Sequence, residues 1–298
     1  MRLSSEYLIV FATVAELGSV SRAAERLHLS QPAVSGQLKA LQELVGEPLY
    51  ERHPRGISLT EAGKMLLPQA NAVMRSLNRA ADTVLELRGR IAREVRLGVS
   101  WMLSSRIVPM LFERLGADSS VRLSIRSDSS EALLTAVGTG ELHAALLVDA
   151  NRNIPEGLEV TRFGEEDLHL IVPTQHPLAH TGSVHLQAVA AETILLPMRG
   201  SSVRRRTEAL LERAQVHPKR LLDLGGFLAV RAGLLSGLGV AFLPPSLLHH
   251  ELQAKLAHKI GLEVPQVTMS YSFVAPAWGL LNRPTRQVLE TLLAGQPS

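Results

Sequence analysis

Residues 19–44 carry two apolar stripes at helical spacing, separated by a break at residues 28–30. The first stripe, at positions i, i+3, i+4 and i+7, consists of Val20, Ala23, Ala24 and Leu27. The second consists of Val34, Leu38 and Leu41. Such spacing forms one face of an amphipathic helix, and Ser30 followed by Pro32 is typical of a helix start. The stretch therefore predicts two short helices joined by a tight turn.

The polar face of the second predicted helix has side chains suited to DNA, namely Gln31, Pro32, Ser35 and Lys39. Gln can form a bidentate contact with adenine, Ser can contact a base or a phosphate, and Lys can neutralise a phosphate. An ordinary helical hairpin with a solvated face is the alternative. Charge does not decide between them, because residues 1–59 hold six basic and six acidic side chains.

The next segment predicts a wing beside this helix. Gly46 is expected to end the helix, and two short extended pieces flank a turn at residues 54–56. Arg52 and Arg55 lie near the turn and could hold phosphates. Three segments of this region are informative together. They are the Ser30-Gln31-Pro32-Ala33-Val34-Ser35 run and residues 48–52 and 55–63.

In order and spacing, these three segments resemble the winged helix-turn-helix head of LysR-type transcriptional regulators. The resemblance implies that double-stranded promoter DNA is a partner. Gln31, Pro32, Ser35 and Lys39 would face bases and backbone, with Arg52 and Arg55 on phosphates. The chain departs from the family pattern at Gly36, where Arg is frequent, and at Tyr50, where Phe is favoured. Gly36 supplies no side-chain contact.

A long helix is predicted from Thr60 to about Ile91. Its apolar residues alternate four and three apart, and they are Leu66, Ala70, Val73, Leu77, Ala80, Val84, Leu87 and Ile91. Such a heptad seam is favoured where two helices pack along their length. The stripe could instead pack on its own domain. The family resemblance implies a linker helix that forms a homodimer, with homotetramers common.

After Glu94 the pattern changes to strands alternating with helices, which predicts a parallel-rich α/β architecture. The strand candidates are 95–99, 121–125, 144–148, 168–172, 194–196, 240–243 and 269–275, and the helix candidates are 107–115, 131–139 and 285–293. The His176-Pro177-Leu178-Ala179 run and residues 236–244 resemble landmarks of the LysR-type effector domain, which is similar to periplasmic binding proteins.

The resemblance implies a fold of three parts. These are a winged helix-turn-helix domain (1–63), a linker or dimerisation helix (64–91) and an α/β effector-binding domain (92–298). The effector domain would have two subdomains, I (92–163 and 268–298) and II (164–267), that cross near 163–164 and 267–268. A ligand cleft is expected between them.

Polar residues that follow strands or precede helices indicate where this cleft lies. Ligands of open α/β sheets bind beyond the carboxyl ends of strands, where helix N-termini present free N–H groups. The candidate effector-binding residues are Ser100, Trp101, Met102, Ser129, Ser202 and Phe227. They would suit a small carboxylate or other anion. The alternative is that Ser129 and Ser202 are only helix caps.

Composition excludes several kinds of chemistry. The chain has no cysteine, which rules out disulfides and thiolate metal sites. We find no nucleophile–base pairing, cofactor motif or metal spacing, so no cofactor and no enzymatic activity are predicted. The histidines near residues 176–185 and 249–258 are interpreted as surface residues, and Arg204–Arg206 as a solvated helix face or an anchor for an anion or a subunit.

The remaining expectations concern location and an alternative function. No apolar run is long enough to span a membrane and no signal peptide is recognised, so a cytoplasmic protein is expected. The net charge of +3 permits nucleic-acid binding. The alternative function is a small-molecule-binding protein or enzyme on the binding-protein scaffold, with N-terminal helices that serve only assembly.

Overall fold

The structure, a computed structural model, describes residues 3–54, 56–88, 94–115, 121–150 and 154–293. The N-terminal elements are α1 (Ser5–Leu17), α2 (Val20–Leu27), α3 (Gln31–Val45), β1 (Tyr50–His53), β2 (Gly56–Leu59) and the long helix α4 (Glu61–Leu87). The helices that follow are α5 (Trp101–Leu115), α6 (Ser130–Thr139), α7 (Ser202–Arg213), α8 (Phe227–Leu235), α9 (His249–Gln253) and α10 (Arg283–Leu293).

Two groups of strands follow α4. The first comprises β3 (Glu94–Ser100), β4 (Arg122–Asp128), β5 (Ala144–Val148), β6 (Leu158–Asp167) and β13 (Thr268–Pro276). The second comprises β7 (His169–Pro173), β8 (Ser183–Val184), β9 (Thr193–Leu196), β10 (Arg220–Asp223), β11 (Ala241–Leu243) and β12 (Ala257–Leu262). Short 3-10 turns lie at Pro177–His180, Leu186–Ala191, Pro245–Leu248 and Trp278–Leu280.

The predicted head helices and wing are confirmed. The Ser30 hydroxyl accepts a hydrogen bond from the Ala33 N–H and caps α3, and Gly46 ends α3 in the left-handed conformation, as glycine commonly does. β1 and β2 pair antiparallel as a wing. The apolar stripes of the helices meet in one core, where Phe11, Val34 and Leu38 are fully buried.

The chain just before the wing packs closely against α4 at Gly63, which has no side chain. A Cβ on Gly63 would lie 2.0 Å from the Leu49 carbonyl oxygen, whereas a Cβ on Gly36 would meet no atom within 4 Å. We expect Gly63→Ala to destabilise the head by about 1–3 kcal/mol through overpacking. Gly36→Ala, inside α3, should stabilise it by about 0.5–1 kcal/mol. Denaturant unfolding followed by circular dichroism measures the free energy of unfolding of both variants. An unchanged free energy of unfolding for Gly63→Ala would contradict the close approach of Leu49 to Gly63.

The apolar seam of α4 is divided between two environments. Its first part, with Leu66, Ala70 and Val73, packs into the core of the head. Further along, Leu77 and Val84 are 44% and 46% exposed. Packing against the head therefore explains only the start of the seam. Among the described residues, the later apolar side chains of the seam are not packed into a core in the same way. The expected end at Ile91 lies outside the described residues.

The first sheet has the strand order β4-β3-β5-β13-β6. β3 pairs parallel with β4 and β5, whereas β13 runs antiparallel to β5 and β6. The second sheet, β11-β7-β12-β8, is largely antiparallel, and β9 pairs parallel with β10. The architecture is thus α/β with mixed sheets rather than parallel-rich ones. Residues 163–164, where we expected a crossing, lie inside β6.

Several strands were not predicted, because their residues lack a clean apolar pattern. β6 carries three acidic residues near its end, and β12 includes His258 and Lys259. Both are nevertheless paired along their length, β6 with β13 and β12 with β7. Within the described residues, no helix is both long enough and apolar enough to cross a membrane.

Candidate functional site

The outer face of α3 is the candidate DNA-reading surface. Gln31, Pro32 and Lys39 are exposed on it, and Ser35 is half-buried. The opposite face of the helix is occupied by the buried core residues, so these polar side chains are not needed for packing. Among the described residues, Lys39 forms one ion pair, an exposed one with Glu43 at 3.8 Å, which is too weak to hold it away from a phosphate. Their contact with DNA stays a prediction.

The wing places a second cation on the exterior of the head. Arg52 is exposed on β1, and β1 is held by its antiparallel pairing with β2 and by a 2.7 Å hydrogen bond between His53 Nε2 and the Ser58 hydroxyl. Arg55, the other predicted phosphate contact, lies outside the described residues. Gly36 is exposed on α3 with open space around its Cα, so a surface could approach the helix backbone closely there.

The six candidate effector-binding residues line one cavity between the two groups of strands. They are Ser100, Trp101, Met102, Ser129, Ser202 and Phe227. The cavity has a volume of only about 20 Å³. Since a single water molecule needs roughly 10–15 Å³, a metabolite can enter only if the walls move apart. The structure therefore brings the predicted strand and helix ends together in a closed arrangement, and their binding of an effector stays a prediction.

The starts of α6 and α7 face this cavity. The Ser129 hydroxyl caps α6 by accepting from the Ala132 N–H, and the Ser201 hydroxyl caps α7 by accepting from the Arg204 N–H. Ser202 is therefore not a cap, contrary to the alternative considered for it. Its hydroxyl lies 3.4 Å from the Val148 carbonyl oxygen, which links α7 to the end of β5.

Ser100 is the unusual residue of the cavity. It ends β3, its side chain is almost fully buried, and its hydroxyl has no hydrogen-bond partner among the described residues. A buried polar atom without a partner costs free energy, commonly about 1–3 kcal/mol. Such an atom facing a ligand cleft is explained if a ligand satisfies it.

A bidentate ion pair joins α7 to the residue that follows β5, next to the cavity. Arg206 on α7 donates from Nε and Nη2 to the two carboxylate oxygens of Asp149, each at 2.9 Å. Asp149 follows β5 directly and has a positive φ of 56°. The hydrogen bond to Asp149 raises the pKa of Arg206, opposed by burial. Sequence reasoning missed this pair, because its members lie far apart in the chain.

The arginine run is a solvated face only in part, since Arg205 is exposed but Arg204 and Arg206 are not. Arg204 is buried and donates to Asp223 at 2.7 Å and to Glu208 at 2.8 Å. Arg205 donates to the Ser202 hydroxyl at 2.9 Å. Since every member of the run has an intramolecular partner, none is free to anchor an anion without first giving up a contact.

Two family models match the chain. The model for the LysR substrate binding domain matches residues 88–297, and the model for the bacterial regulatory helix-turn-helix protein, lysR family, matches residues 6–64. The chain belongs to the LysR family of transcriptional regulators. It is therefore a DNA-binding regulator with an effector-binding domain, and the alternative of an enzyme on this scaffold is set aside.

Individual proteins agree with the family models. The uncharacterised HTH-type transcriptional regulator YybE of Bacillus subtilis is 29% identical over 241 residues, covering 80% of this chain and 82% of YybE. Full-length LysG from Corynebacterium glutamicum with bound effector Arg has a TM-score of 0.62 at 20% identity, covering 98% of this chain and 97% of LysG. Vibrio fischeri DarR in complex with DNA has a TM-score of 0.57 at 19% identity, covering 98% and 99%. At these identities the structural matches describe the fold.

In this LysR-type regulator the effector-binding domain also contacts the long helix α4. Arg75 of α4 is buried and donates to the carbonyl oxygens of Gly138, at the end of α6, and of Glu156. Asn78 donates to the Thr139 carbonyl oxygen at 3.0 Å. These α4 side chains satisfy carbonyl groups at the C-terminal end of α6, where a helix leaves them unpaired.

A second contact lies further along α4. Asp82 accepts two hydrogen bonds from the guanidinium of Arg96, both at 3.1 Å, and a third from His143 Nε2, also at 3.1 Å. His143 Nδ1 accepts a hydrogen bond from the Arg96 backbone N–H. In the neutral ring the hydrogen therefore lies on Nε2, which donates a hydrogen bond to Asp82. No sequence signal predicted this cluster, because its residues come from α4, β3 and the turn before β5.

Asp82 gives the junction a dependence on pH. Burial alone would raise its pKa, but hydrogen bonds from His143 and Arg96 outweigh it and lower the pKa to about 2. The ionised form therefore adds stability above the ordinary pKa of 3.8, and this stability is lost as the pH falls towards 2. We expect the protein to be more stable than Asp82→Asn at neutral pH, with a difference that shrinks in acid. Denaturant unfolding across that range measures it, and a difference constant with pH would contradict the assignment.

The two groups of histidines lie near residues 176–185 and 249–258. Within the described ranges, no group of three or more His, Cys, Asp or Glu side chains could hold an ion. His176 Nε2 lies 3.1 Å from Glu192, and the ring centroids of His180 and His258 are 6.2 Å apart. His176 is largely buried rather than on the surface, since its side chain is only 13% exposed.

Proposed function

We propose that this LysR-type regulator binds promoter DNA as a homodimer, or as a homotetramer built from two dimers, under control of a small effector. The recognition face of α3, with Gln31, Ser35 and Lys39, reads the major groove, and Arg52 and Arg55 hold phosphates from the wing. The parts of the chain are the domains 1–63, 64–91 and 92–298. The bound DNA in the DarR structure supports this use of the fold.

The effector occupies the cavity between the subdomains. Uncapped or serine-capped helix starts and the Ser100 hydroxyl suit a small carboxylate or other anion, while Trp101 and Phe227 cover an apolar body. Entry requires the Arg206–Asp149 pair and the Ser202 contact to open. The bound effector Arg in the LysG structure supports control of a protein of this fold by a small molecule.

Helix α6 couples the cavity to the head. Its first turn is capped at the cavity by Ser129, and its last carbonyl groups hold Arg75 and Asn78 of α4. Just beyond α6, Glu141 pairs with Arg26 of head helix α2 at 3.0 Å. A ten-residue helix is a rigid rod of about 15 Å, so a shift at the cavity displaces the linker helix. This single element, touching both sites, is the observation that carries the proposal.

Ser100→Ala separates a ligand-binding role from a structural one. Removing a buried hydroxyl that has no partner should leave the free protein as stable or raise its free energy of unfolding by about 1 kcal/mol. The same change should weaken effector affinity by about tenfold, because one hydrogen bond to the ligand is lost. Thermal unfolding with and without metabolites from a screen measures both quantities, since ligands of the native state raise its stability.

The matched control is Ser202→Ala, whose hydroxyl has an intramolecular partner. It should lower the stability of the free protein, unlike Ser100→Ala. If Ser100→Ala destabilised the free protein and left every ligand response unchanged, Ser100 would have a structural role and the effector would lie elsewhere.

A further inference from the structure

A second cavity lies between the linker helix and the effector domain, outside the effector cleft. Its volume is about 270 Å³. Its walls include Arg79 and Thr83 of α4, Leu142 and His143 before β5, Leu281 before α10, and Arg283 at the start of α10. It shares no lining residue with the cleft described above. Its size is close to the lower end of small-molecule sites, which begin at about 300 Å³.

The cavity has an excess of positive charge. Neither Arg79 nor Arg283 forms an ion pair with any other described residue, and the Arg79 guanidinium donates a hydrogen bond to the Ser76 hydroxyl at 3.2 Å. The one carboxylate in the lining, Asp82, already forms an ion pair with Arg96 and accepts a hydrogen bond from His143. Burial, and then the neighbouring charge of Arg79, lower the pKa of Arg75, which also lines the cavity. Guanidinium groups gathered without a counter-charge favour an anion.

The remaining walls are apolar. Leu142 and Leu281 are nearly buried, and Pro276 and Leu280 extend the same surface, with Leu280 half exposed at the entrance. Inorganic phosphate would leave these walls without a partner. An anion that carries an apolar ring or chain would fill them while its charged end meets the two arginines.

We propose that this cavity binds a small organic anion, a carboxylate with an apolar body, as a site separate from the effector cleft. Because α4 forms one wall and the effector domain the others, a bound anion contacts both parts at once. It therefore stabilises the arrangement in which the effector domain grips the linker helix, since a ligand favours the state to which it binds better. An anion in this cavity would therefore act on the same contact between α4 and the effector domain to which α6 connects the effector cleft.

The test is calorimetric titration of the full-length protein with 2-naphthoate, a two-ring carboxylate, and with neutral 2-naphthamide. We expect 2-naphthoate to bind at least tenfold more tightly than the amide. Arg79→Gln and Arg283→Gln should each weaken its binding about tenfold, and Thr83→Trp, which fills the cavity without removing charge, should abolish it. Arg213→Gln, an exposed arginine at the end of α7, is the charge control and should bind as the unaltered protein does.

Four results would overturn the proposal, and the first three concern affinity for the probe. They are undetectable binding of 2-naphthoate, equal affinity for acid and amide, and unchanged affinity in both arginine variants. Weakening by Ser100→Ala without weakening by Arg79→Gln would assign the probe to the effector cleft and overturn it too. No DNA is needed for this titration, so its failure is distinguishable from a failure of the regulatory function proposed above.

Discussion

Replacing Leu77 or Val84 by lysine should convert the protein into monomers and weaken its binding to a two-half-site operator by about 100-fold or more. Both side chains lie on the heptad seam of α4 and are nearly half exposed in the single chain, while the start of the seam is already used by the head. A charge introduced into a seam between two helices must be buried without a partner. Without the second head, the gain from binding two half-sites together is lost.

The control for this result is Met65→Lys. Met65 is an exposed apolar residue of the same helix, 79% accessible, but it lies off the seam. Sedimentation velocity gives the oligomeric state, and fluorescence anisotropy with one- and two-half-site DNA gives the affinity. If the Leu77 and Val84 variants stayed dimeric, or if Met65→Lys dissociated as well, α4 would not be the dimer helix.

Removing the side chains of Gln31 and Ser35 should abolish sequence-specific binding while leaving non-specific binding in place. Each good base contact contributes about 1–3 kcal/mol of discrimination, so the double alanine variant should lose roughly 100-fold or more of its preference for the operator. Both residues lie on the accessible face of α3, and the core is untouched by the change. Stability should therefore stay close to that of the unaltered protein.

Lys39→Ala should behave differently from that double variant. Loss of one phosphate contact weakens binding to all sequences and lowers the slope of log affinity against log salt by about 1. Lys259→Ala, an exposed lysine of the effector domain, matches the change in net charge. Equal salt slopes for the two lysine variants would show that Lys39 does not contact DNA.

Local patterns were enough to predict the head. Its helices, the Ser30 cap, the Gly46 end and the two strands of the wing each follow from residues close together in the chain. The cavity residues could also be predicted, because strand ends and helix starts in an α/β sheet meet at one edge. In both cases the decisive signal lay within a few residues of the element concerned.

The contacts that join the parts could not be predicted in this way. Arg75 and Gly138, Asp82 and His143, and Arg206 and Asp149 are separated by 57–63 residues. A single arginine or aspartate on a helix gives no sign of whether its partner is water or a distant carboxylate. For that reason the sequence did not show that Arg204 and Arg206 pair with distant aspartates. The strands β6 and β12 were not predicted because pairing with neighbouring strands, rather than an apolar pattern, determines them.

We propose that a ligand in the effector domain controls how the two paired heads bind DNA. The most direct measurement is footprinting of genomic fragments selected by the purified full-length protein, with and without metabolites that raise its thermal stability. We expect two protected half-sites separated by one helical turn, about 10 base pairs, or a multiple of it, and a change in the protected length or spacing when such a metabolite is present. A failure to protect any fragment under any condition, or a footprint that none of these metabolites alters, would contradict the account.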